Sequence, residues 1–90
     1  MINISVRHTI TDYTQWRAGF DAHATARRTA GATGVSQIFR DVDNPNQITV
    51  LLEWDNAENA RKFTNDPGLK EAMQAAGVTS VPEMHFMNRA

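Results

Sequence analysis

The stretch Val35 to Trp54, VSQIFRDVDNPNQITVLLEW, decides the fold. Val35, Gln37 and Phe39 alternate with Ser36, Ile38 and Arg40, and Ile48, Val50, Leu52 and Trp54 alternate with Thr49, Leu51 and Glu53. A period of two belongs to a strand, whose successive side chains point to opposite faces of a sheet. Between the two runs lies Asp41 to Asn46, Asp-Val-Asp-Asn-Pro-Asn, in which nearly every residue favours a turn. The expected unit is a hairpin of strands two and three.

Upstream, Tyr13, Trp16, Phe20, Ala24 and Arg27 recur at helical spacing until Gly31 and Gly34 end the pattern, and Asp12 with Gln15 supplies a capping pair. This predicts helix one over roughly Tyr13 to Ala30. Before it, Ile2, Ile4, Val6, His8 and Ile10 alternate with polar residues, which predicts strand one. Downstream, Asp55 and Glu58 repeat the capping spacing, and Ala57, Ala60 and Phe63 share a face. Asp66-Pro67-Gly68 then interrupts a second helix that resumes with Leu69, Met73 and Ala76 and stops at Gly77. Val81 to Met87 is the expected fourth strand, with Met84 and Phe86 on one face. The order βαββαβ reads as an α+β, ferredoxin-like fold: a four-stranded, mostly antiparallel sheet with helices on one face. Residues 1–90 are expected to form a single domain.

The uncovered sheet face would leave apolar surface in water, so a homodimer packed sheet to sheet is expected, with Ile38, Leu51 and one face of strand four in contact. Arg40 and Glu53 are placed on that outer face. Composition narrows the partners. The chain has nine basic and ten acidic residues, and its longest basic run is Arg27-Arg28, which argues against nucleic acid. It has no cysteine, so disulfides, thiolate nucleophiles and cysteine-based metal sites are excluded. No apolar stretch approaches membrane-spanning length and no signal-peptide pattern opens the sequence, so the expected location is cytoplasmic. The three histidines lack metal-ligand spacing, and neither a metal nor any other cofactor is expected; His23 and His85 offer only a weak case for haem contact.

The segments VRHTITDYTQWRAGFD (Val6 to Asp21), RDVDNPNQITVLLEW (Arg40 to Trp54) and DPGLKEAMQAAGV (Asp66 to Val78) resemble the dimeric α+β barrel superfamily, most of all its small antibiotic biosynthesis monooxygenase-like and cyclase-labelled bacterial members. The resemblance covers nearly the whole chain. It implies a dimeric α/β barrel with a pocket between sheet and helices. It also implies a range of activities: cofactor-independent oxygenases acting on polycyclic phenols, haem degradation, polyketide cyclisation, or none known. It transfers no catalytic residue, and fold alone does not select among these.

With strands one and three taken as parallel neighbours, His8 and Trp54 end at the same sheet edge beneath the helices. Strand two then brings Gln37 close, and helix one begins there with Tyr13 and Trp16. The expected site is an aromatic-walled cluster of His8, Tyr13, Trp16, Gln37 and Trp54 that takes a small apolar or aromatic ligand. His8 is the one member able to move a proton near neutral pH and is the candidate general base. Two readings stay open: a monooxygenase or cyclase acting on an aromatic or polyketide-like molecule, and a non-catalytic ligand-binding or stress-response dimer in which His8 is structural. No serine-nucleophile or phosphate-loop motif is present, and Asp12, Asp55 and Glu58 are accounted for as helix caps.

Overall fold

Ile48, Val50, Leu52 and Trp54 are buried while their alternating neighbours stay half exposed, so β3 (Gln47–Trp54) is the half-buried strand its period requires. The computed structural model describes residues 1–90. β1 (Ile2–Thr9) lies on one side of β3, with Ile2, Ile4, Val6 and His8 buried on the same face. β2 (Ala32–Arg40) lies on the other side, and β4 (Glu83–Asn88) pairs with β1, giving the strand order β2-β3-β1-β4.

Every neighbouring pair in this sheet is antiparallel. The parallel pairing expected for strands one and three is therefore corrected: Ile2 faces Trp54 and His8 faces Ile48, so His8 and Trp54 stand at opposite ends. The reason lies in the connections. A helical crossover returns the chain to start β2 in the direction of β1, and the hairpin partner β3, inserted between them, runs against both.

The phase of β2 is also reversed from expectation. Ile38 opposes Val50 and packs against the core, and Arg40 opposes Ile48 on the same side. Gln37 opposes Leu51 and Phe39 opposes Thr49 on the outer face, and Val35 and Phe39 are 59% and 51% exposed. Arg40 therefore lies on the face opposite to Glu53, not beside it as expected; it stacks 4.6 Å over the Tyr13 ring and donates to the Pro45 carbonyl. His85 joins the outer face beside Glu83, at 3.1 Å.

One helix was expected over Tyr13 to Ala30, but there are two, α1 (Tyr13–Ala22) and α2 (Ala24–Ala30), broken at His23. Asp12 caps α1 as its spacing indicated, accepting from the Gln15 N–H at 2.9 Å. α3 (Ala57–Thr64) is capped by Asn56 rather than Asp55, and α4 (Pro67–Ala75) begins at the proline that interrupts the pattern. The helices cover one face of the sheet. Trp16, Ala60, Phe63 and Ala76 complete a core with the buried strand residues. No helix is long and apolar enough to cross a membrane.

Gly31 and Gly19 are fixed by this packing. Gly31 has φ 124°, and a Cβ there would lie 2.5 Å from Asp55 Oδ1 and 2.8 Å from Trp54 Nε1. A Cβ on Gly19 would lie 2.7 Å from that of Ala76, so its absence lets α1 come close to the end of α4.

Candidate functional site

The buried face of β1 carries Ile4, Val6 and His8, and antiparallel β3 sets Val50 and Leu52 beside them. Above this floor the helices leave a cleft that is half open to solvent, with a cavity volume of about 70 Å³ at its base. Trp16 and Phe20 of α1 form one wall, Phe63 of α3 and Leu69 and Met73 of α4 the other, and Met84 of β4 closes a flank. Its lining is apolar apart from Gly19 and four side chains: His8, His23, Arg27 and Thr64. No carboxyl group lines it.

His8 is 4% exposed, and its Nδ1 has no hydrogen-bond partner. An imidazole nitrogen withdrawn from water without a partner is costly, so the protein holds a destabilising polar group at this point. Burial pushes the His8 pKa below its usual 6.5, an effect that an interaction with the residue's own backbone opposes only in part. The ring is therefore neutral at physiological pH, and a neutral imidazole with a free ring nitrogen can accept or relay a proton. Trp16 meets it edge to face, with centroids 5.8 Å apart.

A ladder of rings runs from His8 along the helices. Trp16 stacks on Phe20 at 5.1 Å, and the Arg27 guanidinium lies 3.8 Å over the Phe20 ring. The break at His23 shapes this end of the cavity: it interrupts the helical ladder, and Arg27 Nη1 donates to the Phe20 carbonyl at 2.8 Å. His23 turns its ring towards Phe63, 5.8 Å between centroids.

Of the five residues expected to form the site, His8 and Trp16 line the cavity. Tyr13 packs against Trp16 at 5.9 Å from outside it. Gln37 lies on the opposite face of the sheet, because the phase of β2 is reversed. Trp54 is fully buried at the far end of β3, where its indole N–H donates to the Ala30 carbonyl at 3.0 Å and its ring meets Phe63 at 4.9 Å. The residues that sequence reasoning left out are Phe20, His23, Arg27 and the α3 and α4 apolar side chains. Their signal was the run 16, 20, 23, 27, which keeps one helical face through the break and puts two basic side chains on an otherwise aromatic stripe.

The architecture can be set beside solved structures. A candidate antibiotic biosynthesis monooxygenase of Bordetella bronchiseptica matches with a TM-score of 0.79 at 15% sequence identity, over 99% of this chain and 96% of its own. SnoaB, a cofactor-independent oxygenase from Streptomyces nogalater, matches at 0.76 and 17%, over 99% and 92%. The chain has the antibiotic biosynthesis monooxygenase-like fold. It is the α+β, ferredoxin-like arrangement that the order of elements in the sequence indicates. A conserved protein from Methanosarcina mazei Go1 shares it at a TM-score of 0.73 and 12% identity, over 99% of this chain and 92% of its own. No family model matches the chain, and no curated protein matches its sequence. At these identities the likeness concerns the backbone, and the chemistry has to be argued from the cavity.

Proposed function

We propose that residues 1–90 act as a single-domain, cytoplasmic, homodimeric monooxygenase that needs no cofactor and takes an aromatic or polyketide-like molecule into the cavity, with His8 as general base. The observation that carries this reading is the partnerless, neutral imidazole facing apolar walls. SnoaB adds an oxygenase without cofactor on the same fold. In this mechanism His8 takes a phenolic or enolic proton, and the ring-delocalised anion that remains is held against Trp16 and Phe20. An electron-rich anion of this kind reduces molecular oxygen, forming a carbon-bound peroxide. The peroxide loses water to leave a carbonyl, and the proton on His8 returns to the departing oxygen. The low-dielectric lining favours a neutral base before the reaction and strengthens its pairing with the anion after it.

Dimerisation belongs to the same proposal. Exposed Val35, Phe39 and Met87 share the outer face with Leu51, and Arg7, Glu53, Glu83 and His85 are interspersed there. A second sheet laid on this face would remove the apolar residues from water and set charged ones opposite charged ones.

The test uses anthrone, an enolisable tricyclic ketone, in an oxygen electrode. One oxygen molecule consumed per anthrone, with one anthraquinone and one water formed, is expected of the wild type. His8→Gln should lose at least a hundredfold in rate at an unchanged melting temperature. Equal rates in the two proteins would remove His8 from the chemistry. The alternative, a non-catalytic binder, is favoured by the absence of any carboxyl group from the lining that could pass the proton on. It predicts that anthrone binds and consumes no oxygen.

A further inference from the structure

Arg27 is the cation of the cavity and has no anion. It sits half buried in the lining, stacked on Phe20, and one of its five N–H donors is used, on the Phe20 carbonyl. No carboxylate lies within ion-pair distance. The nearest candidate from its own segment, Asp21, is committed to Arg17 at 3.1 Å. Arg17 and Asp21 act on Arg27 in opposite senses, and the main influence on its guanidinium is the loss of water. The rest of the lining, with Phe63 and Thr64 of α3, Leu69 of α4, Met84 of β4 and the ring of His23 at the helix break, contains no acidic side chain. A planar fork of donors at one end of an apolar cavity, with the partnerless His8 on its sheet floor, is a recognition pattern for a carboxylate.

We infer that the cavity takes an aromatic or polyenic molecule bearing one carboxylate, which Arg27 binds at the helix-break end while the hydrophobic body lies along Trp16 and Phe20 towards His8. The inference rests on the reading of the cavity as a ligand site and adds its chemical class and binding polarity. His23, on the same lining, offers a ring N–H as a second donor to the same anion. In the unliganded protein the stack on Phe20 and the hydrogen bond to its carbonyl keep the guanidinium in place, so little side-chain freedom is lost on binding.

The experiment is isothermal titration calorimetry with 2-naphthoate and with its uncharged carboxamide, on the wild type, Arg27→Met and Arg27→Lys. Methionine keeps the apolar stem against Phe20 and removes charge and fork together. The wild type is expected to bind the acid at least tenfold tighter than the amide. Arg27→Met should bring the two compounds within twofold by weakening the acid alone, and Arg27→Lys should restore part of the preference. A purely structural Arg27, holding the helix break through Phe20, would weaken both compounds equally and lower the melting temperature, and that result overturns the inference. A preference that survives in Arg27→Met overturns it as well, as does binding of neither compound, which also removes the cavity as a ligand site. The enzymatic reading fails separately: a charge preference that follows Arg27 without any oxygen consumption leaves carboxylate recognition standing and discards the monooxygenase.

Discussion

Replacing His8 by leucine should make this protein more stable. The wild-type residue is 4% exposed, with an unpartnered Nδ1, and removing a buried group left without a hydrogen bond recovers about 1–3 kcal/mol. Against this stands the edge-to-face contact with Trp16 at 5.8 Å, since aromatic pairs of this kind contribute about 0.5–1.5 kcal/mol. Leucine slightly exceeds the volume of histidine and sets apolar surface beside Val6 and Ile48. The balance is a gain of roughly 1 kcal/mol, or about 4–8 °C in melting temperature for a domain of this size. The gain should also depend on pH. Burial lowers the His8 pKa in the folded state, so the unfolded chain binds a proton more readily, and the wild type loses stability as pH falls from about 6.5 towards the lower folded-state value. The difference between His8→Leu and wild type should therefore widen below pH 6.5 and reach a plateau above it. Urea denaturation at pH 8 and pH 5.5 measures both effects. A leucine variant less stable than wild type at pH 8 by 1 kcal/mol or more would mean that His8 makes a structural hydrogen bond, and the argument for a residue kept for chemistry at the expense of stability would fail.

Three further outcomes follow from the packing. Trp54→Phe should cost about 1–3 kcal/mol in chemical denaturation, because it takes the indole donor from the part-buried Ala30 carbonyl, and should leave ligand affinity unchanged, because Trp54 is not in the lining. A matching loss of affinity would return Trp54 to the site. Gly19→Ala should lose about 1–3 kcal/mol by pressing its Cβ on that of Ala76, and Ala76→Gly in the same chain should recover part of the loss; thermal melts of the double variant distinguish this contact from a general change in helix propensity. On the outer face, Phe39→Asp should convert the proposed dimer to monomer in native mass spectrometry without changing the circular dichroism spectrum, and a dimer that persists would place the interface elsewhere.

Much of the architecture was legible before any tertiary contact was known. Period two in β1 and β3, the turn residues Asp41 to Asn46, the Asp12 cap and the Pro67 interruption are local signals, and each marks an element in the structure. Less of the site was legible. His8 and Trp16 were legible because one continues the apolar set of its strand and the other the apolar face of its helix. Gln37 and Trp54 were misplaced by two non-local facts, the phase of β2 and the direction of β3 relative to β1. In β2, Val35 and Phe39 on one face and Ile38 on the other make the apolar alternation point outward, so no local count identifies the buried side.

The sequence by itself determined the elements, their order and the identity of a lone histidine on a buried apolar stripe, because propensity, capping and periodicity act within a few residues of the chain. Only the tertiary structure decided which residues share the cavity. Antiparallel insertion of β3 sends Trp54 away from His8, and the docking of α1 and α2 on the sheet brings Arg27, stacked over Phe20, into the same lining as His8. These are outcomes of packing, in which strand direction and helix continuity are settled by what the whole core can bury, and no window of sequence contains them.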